Sequence, residues 1–334
     1  MTTYREFQLL RRPVGLPTGD DFAIVSREAA AVQDGQIRVR NLFVSVDPYM
    51  RGRMSDAKSY AEPYQLNAPM AGGAVGRVEE SKAPALAPGD LVLTMHGWRE
   101  GFVADGKTAV KIDSSLAPPQ AYLGTLGMPG QTAYTGLFEI GGLKTGETVL
   151  VTGAAGAVGI VACQIAKARN CRVIGTVGSD EKAAWLKDNA GVDATINYRT
   201  AGNLRRAIAG AASEGIDLTF ENVGGEHLEA ALANMKDFGR VAICGLISQY
   251  NATDAGPGIR NIRDVLTRRL TVRGFIVSDH LGLRPRFLAE MVEWIKAGKM
   301  RWTETIIDGF ERTPEAFLGL FSGRNIGKMV VRIT

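Results

Sequence analysis

The chain has 334 residues, 45% of them hydrophobic and 22% charged, a length and balance that suit two soluble globular domains. Its net charge of +4 is mild and its basic residues are dispersed, with only short groups such as Arg205-Arg206 and Arg268-Arg269, so no nucleic-acid-binding stripe is visible. No apolar run approaches the roughly 18–20 residues of a membrane span, and the first residues reach Arg11-Arg12-Pro13 without an apolar signal core, which points to the cytoplasm.

Residues 1–124 predict short β segments at 21–26, 36–46, 74–79, 90–95 and 109–111, separated by Gly, Pro and Asp turns. The Ala-Pro-Gly-Asp run at 87–90 is a turn into a strand, and the pattern is that of an antiparallel, barrel-like β domain. From 125 to 304 strands and helices alternate. Strands are expected at 148–153, 172–177, 194–197, 216–221, 240–245 and 271–277. Helices are expected at 157–169, 181–189, 202–212, 226–236, near 260–268 and at 284–297. Such alternation implies a doubly wound parallel sheet, the Rossmann arrangement, with ligands at the carboxyl ends of its strands. Residues 305–334 offer a helix starting at Thr313-Pro314 and a strand at 327–333 that pairs most economically with the first β domain. The α/β unit is then a long insertion in a discontinuous β domain.

At 148–159 the apolar strand Val149-Leu150-Val151 runs into a turn containing Gly153, Gly156 and Gly159, and an apolar helix follows. Backbone N–H groups and the positive end of that helix suit a pyrophosphate. The strict G-x-G-x-x-G spacing has Ala154 in place of its first glycine, so the motif alone is a weak signal. A second strand ends in Thr176-Val177-Gly178-Ser179, neutral where an NAD-preferring site carries an acid for the ribose 2′-hydroxyl. Asp180 and Glu181 suit a helix N-cap and first turn, and Lys182 sits one turn in, within reach of a 2′-phosphate.

Cys163, Cys171 and Cys244 lie in apolar segments and read as reduced packing residues. Neither they nor His96, His227 and His280 fall at metal-ligand spacing, so no metal is expected.

Several further segments give the chain a recognisable character: Val-Asp-Pro-Tyr-Met-Arg-Gly-Arg-Met at 46–54, Gly-Met-Pro-Gly-Gln-Thr-Ala-Tyr at 127–134, Glu-Asn-Val-Gly-Gly at 221–225, Cys-Gly-Leu-Ile-Ser-Gln-Tyr-Asn at 244–251 and Gly-Arg-Asn-Ile-Gly-Lys at 323–328. In this order, and over essentially the whole length, they resemble the medium-chain dehydrogenase/reductase superfamily. The similarity is to its zinc-free branch of prostaglandin reductases, alkenal/one oxidoreductases and curcumin reductases. The resemblance implies a GroES-like β domain around the Rossmann unit, NADPH as cofactor, and a homodimer. It implies a pyrophosphate site at Ala155, Gly156, Ala157 and Val158, and a 2′-phosphate site at Lys182 and Tyr198 with the hydroxyl of Ser179. Asn222 is expected at the end of the fourth strand, with Cys244, Gly245, Leu246, Ile247, Ser248 and Tyr250 along the nicotinamide. Phe275, Ile276 and Val277 then supply backbone contacts to the carboxamide, and Asn325 a polar contact from the tail. Cys244 is a wall residue in this reading and not a nucleophile.

The superfamily's zinc alcohol dehydrogenases carry a cysteine ligand in the segment occupied here by Val46-Asp47-Pro48-Tyr49-Met50. Alkoxide chemistry needs such a Lewis acid, whereas hydride addition to an activated C=C bond delocalises charge into an enolate. The expected reaction is therefore NADPH-dependent reduction of an α,β-unsaturated ketone or aldehyde. A hydrogen-bond donor aimed at the carbonyl oxygen is required, and the candidates are Tyr60, Tyr250 and Tyr49. His96 and Trp98 are candidates to line the substrate pocket, and the Gly- and Pro-containing loop 251–260 reads as a flap. The apolar strand at 271–277 is an edge that invites pairing with a second copy. A quinone reductase and a non-enzymatic NADPH-binding protein are the competing readings.

Overall fold

The computed structural model describes residues 2–254, 256 and 258–333. The chain divides into two units, Met1–Leu123 with Glu304–Thr334, and Gly124–Thr303.

The first unit opens with β1 (Thr3–Leu9), β2 (Phe22–Glu28), β3 (Gln36–Ser45), the five-residue helix α1 (Tyr49–Arg53), β4 (Ala74–Ser81), β5 (Leu91–Thr94), β6 (Gly101–Asp105) and β7 (Val110–Lys111). β1 and β2 pair with each other, β3 pairs with β4 and β6, β4 with β5 and β5 with β7, all antiparallel. The strand expected at 36–46 is present as β3, and over its first half Ile37, Val39 and Asn41 are buried on one face. Of the strands before Leu123, β1 and β6 are not expected from the sequence. In β1 the polar Glu6 and Gln8 are themselves buried and bonded to each other at 2.9 Å, so a core strand reads as a polar one. Trp98 is a correction. It is fully buried, touching Phe7, Phe22 and Phe317 with its Nε1 toward Met50 Sδ at 3.3 Å, and is a core residue instead of a pocket wall.

The second unit carries α2 (Met128–Thr135), β8 (Thr148–Val151), α3 (Ala157–Ala168), β9 (Arg172–Val177), α4 (Asp180–Ala190), β10 (Ala194–Asn197), α5 (Leu204–Ala211), β11 (Ile216–Glu221), α6 (Glu226–Asn234), β12 (Met235–Ile243), α7 (Arg263–Thr267), β13 (Thr271–Gly274) and α8 (Arg284–Lys296). Its strands form one parallel sheet in the order β10-β9-β8-β11-β12-β13. Val149, Leu150 and Val151 are wholly buried, as expected of a strand covered on both faces. The order reverses between β8 and β11, the position at which doubly wound sheets bind ligands.

Two strand boundaries of the sheet differ most from expectation. β12 begins at Met235, directly out of α6, and a register shift between Ile216 and Leu218 of β11 absorbs the polar run before Arg240. β13 stops at Gly274, and a short 3-10 stretch, Val277–Leu283, takes over the last residue of the expected strand. Of the expected flap at 251–260, Ala255 and Pro257 lie outside the described residues. At its far end the Arg260 guanidinium donates to Glu229 of α6 at 2.6 Å.

The tail returns to the first unit as β14 (Glu304–Asp308), α9 (Thr313–Ser322) and β15 (Lys328–Arg332). β15 pairs antiparallel with β3, Val330 opposite Ser45, as the sequence led us to expect. β14 was not foreseen and pairs parallel with β15.

Candidate functional site

The turn after β8 is built by geometry that only part of the glycine pattern requires. Gly153 takes φ +58°, a left-handed value that favours glycine, whereas Ala154 has no positive φ, so an alanine costs nothing there. Gly153 N–H donates to Thr176 Oγ1 at 3.3 Å and Ala154 N–H to the Thr176 carbonyl at 2.9 Å, fixing the turn to the end of β9. Gly156 is the N-cap of the twelve-residue α3 and offers no side chain, so the helix entrance stays open to an anion. Ala155 is buried, while Gly156, Ala157 and Val158 are half-buried.

At the end of β9, Ser179 caps α4 by accepting the Lys182 N–H at 3.3 Å, and Asp180 and Glu181 fill the first turn. Lys182 is half-buried. Burial pulls its ammonium below the usual lysine range, and the charge of Arg199 pushes in the same direction. Tyr198 follows β10, and its ring lies against His227 with centroids 4.8 Å apart. Its hydroxyl overhangs Gly178, where a Cβ would lie 2.7 Å from the phenolic oxygen. Arg199 and His227 were not singled out from the sequence. Arg199 adjoins Tyr198 and is legible in retrospect, whereas nothing in the pattern around His227 marks it.

Across the sheet's reversal point, Asn222 donates its backbone N–H to Thr152 Oγ1 and its side-chain amide to the Thr152 carbonyl, both at 2.8 Å. Glu221 behind it is wholly buried. Its Oε1 accepts from Thr152 Oγ1, Val223 N–H and Gly224 N–H, while Oε2 has no hydrogen-bond partner among the described residues. Burial outweighs those three donors and pushes the carboxyl up. The expected nicotinamide wall folds back onto this strand end. Cys244 and Gly245 N–H both donate to the Glu221 carbonyl, Ile247 N–H to Asn222 and Ser248 N–H to Val223. These four donors serve the fold, and within the segment the Leu246 and Ile247 carbonyls accept Gln249 and Tyr250 N–H. The Cys244 thiol is pushed up to about 12 by burial and by Glu221, which keeps it protonated and poorly nucleophilic. Tyr250 is half-buried with its hydroxyl accepting Leu246 N–H at 3.4 Å, and burial holds its phenol above the usual range. Phe275 packs on Phe220 of β11, with Ile276 and Val277 following beyond the strand end.

Three expected site residues belong to the first unit. Tyr49 opens α1 and its phenol is held well above the ordinary range by burial and by Asp47. Tyr60 is 61% exposed, whereas Tyr64, a few residues on, is buried. Tyr64 was missed because its setting is tertiary: the hydroxyl donates to the Ala71 carbonyl at 2.7 Å and Arg53 lies 4.2 Å over its ring. Asn325 is buried and donates its amide to the Gly327 carbonyl at 2.7 Å.

Residues 5–112 match the family described as the N-terminal domain of oxidoreductase, and residues 157–297 that described as zinc-binding dehydrogenase. The chain is 40% identical over 334 residues to an NADPH-dependent curcumin reductase of Escherichia coli (strain K12), covering 98% of this chain and 96% of that one. It is 44% identical over 298 residues to a 2-alkenal reductase (NADP(+)-dependent) of Nicotiana tabacum, covering 89% and 87%. The crystal structure of CurA in complex with NADPH from Vibrio vulnificus matches with a TM-score of 0.93 at 40% identity over 99% of each chain. The chain belongs to the medium-chain dehydrogenase/reductase superfamily. In this member of it, no group of three or more His, Cys, Asp or Glu among the described residues is placed to hold a metal ion. The residues do fit a dinucleotide. A Cβ on Gly159 would sit 2.4 Å from the Gly153 carbonyl oxygen, so the glycine lets α3 approach the turn closely enough to present its open entrance.

Proposed function

We propose that this oxidoreductase uses NADPH to reduce the C=C double bond of α,β-unsaturated ketones and aldehydes. The end of β9 carries this reading. A bare Gly178 there leaves room for the Tyr198 hydroxyl, Lys182 stands one turn into α4, and no carboxylate occupies the strand's last position. The similarity to a curcumin reductase over 98% of the chain and to a 2-alkenal reductase over 89% of it supports it. In this assignment the parallel-sheet unit binds NADP(H) through the segments described above, and the β unit serves the substrate.

Bound NADPH supplies the hydride that adds to the β-carbon of the conjugated bond. Negative charge then builds on the substrate's carbonyl oxygen, where a neutral donor is worth most. Tyr250 suits that role: Leu246 N–H supports its oxygen, its own proton remains to be given, and its raised pKa keeps it a phenol. Tyr60 and Tyr49 are the alternative donors. The α-carbon takes its proton afterwards from water or a side chain.

No helix among the described residues is long and apolar enough to cross a membrane, and the three cysteines are free, which supports a cytoplasmic setting. β13 ends the parallel sheet with all four of its residues exposed, an edge suited to pairing with a second copy, so the proposed assembly is a homodimer. The deciding experiment is consumption of NADPH, and of NADH in parallel, against a panel of enals, enones and quinones. Turnover of enals and enones with NADPH is expected, and turnover confined to quinones, or none on any compound, overturns the proposal.

A further inference from the structure

Behind Tyr198 runs a line of contacts that the sequence did not announce. Thr176, wholly buried at the end of β9, accepts Gly153 N–H at its Oγ1, and the same oxygen lies 3.2 Å from His227 Nδ1 on α6. The oxygen can accept Gly153 N–H and still donate, and no other acceptor for the hydroxyl proton lies among the described residues, so that proton is assigned to Nδ1. That nitrogen is then the acceptor and the imidazole carries its hydrogen on Nε2. Burial pushes the ring down to about 4, so it is neutral at ordinary pH, and the residue is 8% exposed. The ring meets Tyr198 at 78°, an edge-to-face contact between two aromatic groups. On its other side the Tyr198 hydroxyl overhangs Gly178. Tyr198 itself is 38% exposed, and a side chain so open needs a buried prop to hold one rotamer.

We propose that His227 is a positioning residue that holds Tyr198 for the 2′-phosphate of NADPH and thereby sets part of the preference for NADPH over NADH. The inference rests on the cofactor reading above. His227 acts through Tyr198 and touches no phosphate. Packing alone would be served by leucine or phenylalanine at this position. What histidine adds is an acceptor for the buried Thr176 hydroxyl, which fixes the ring's orientation, together with the ring that Tyr198 leans on.

The test is equilibrium binding by calorimetry on the full-length protein, with 2′,5′-ADP and 5′-ADP as probes and melting temperature as the control for folding. His227→Asn retains an acceptor near the Nδ1 position but removes the ring. His227→Phe retains the ring but removes the acceptor. The ratio of the two affinities is the readout, because a merely structural loss weakens both probes alike. We expect the preference for 2′,5′-ADP to fall about fivefold in His227→Asn and by a smaller factor in His227→Phe. Tyr198→Ala is expected to lower it at least as much. If Tyr198→Ala lowers the preference while both His227 variants keep it, the role of His227 is overturned and the cofactor reading stands. If Tyr198→Ala also keeps it, the assignment of Tyr198 fails and the proposal with it. Nitrogen NMR of the unmutated protein gives a reading free of any folding defect: a proton on Nε2 is expected, and one on Nδ1 overturns the proposal.

Discussion

The Lys328 ammonium lies 3.0 Å from the Asp47 carboxylate, with Lys328 2% and Asp47 5% exposed. Lys328 also donates to the Val46 and Met329 carbonyls, and Ser45 Oγ donates to the other Asp47 oxygen. This pair joins the returning strand β15 to the segment that leads into Tyr49. Burial draws the Lys328 pKa down while Asp47 opposes the fall.

Removing one partner leaves the other charge buried and uncompensated. Lys328→Met is therefore expected to cost about 3–5 kcal/mol of stability, and Lys328→Met with Asp47→Leu a good deal less, since the stranded charge is gone. Urea denaturation followed by fluorescence compares them. A double variant no more stable than the single one would contradict the argument.

Gly159 and Gly156 should respond differently to alanine. A Cβ at Gly159 meets the backbone, 2.4 Å from the Gly153 oxygen and 2.8 Å from Ala154 Cα, and the turn cannot yield without losing its shape. Gly159→Ala is expected to abolish NADPH binding and to cost about 1–3 kcal/mol of stability. At Gly156 the same atom lies 3.3 Å from the Gly153 oxygen, so Gly156→Ala is expected to fold with little loss of stability and to weaken NADPH binding by narrowing the open helix entrance. Coenzyme titration and melting curves on both variants check this.

The donor role separates the tyrosines kinetically. Loss of one oxyanion donor costs about 10²-fold in kcat. Tyr250→Phe is expected to show that loss with an enone substrate, and Tyr60→Phe a smaller one. Should both remain within about threefold of the unmutated enzyme, well short of that factor, the tyrosine proposal is wrong.

Glu304, at the start of β14, has its carboxyl pushed up to about 7 by burial, and its Oε1 has no hydrogen-bond partner among the described residues. The folded state thus holds this proton to higher pH than the unfolded chain, whose glutamates titrate near about 4.3. The folded state binds more protons in that window, so stability falls as pH rises from about 4.3 through about 7. Glu304→Gln is expected to raise the melting temperature at pH 8 and to leave it nearly unchanged at pH 5. An equal shift at both values would mean that ionisation is not the cause.

Much of the parallel-sheet unit was legible because its signals are local. Val149-Leu150-Val151 followed by three spaced glycines needs only neighbouring residues to be read, and the neutral end of β9 with Lys182 four residues beyond Gly178 is likewise a local pattern. The exceptions are instructive. β1 was missed because Glu6 and Gln8 satisfy each other inside the core, and Trp98 was misplaced because its burial by Phe7, Phe22 and Phe317 depends on three distant segments. Tyr64 escaped notice for the same reason.

The order of strands and turns, the family, and the chemistry of the cofactor follow from the sequence, since periodicity and glycine spacing are written along the chain. Which side chains hold the site in place does not. Thr176 and His227 are 51 residues apart, and Val46 and Lys328 are 282 apart. Such contacts arise only when the sheet brings strand ends together, and a histidine or lysine looks the same in sequence whether it meets solvent or a buried partner.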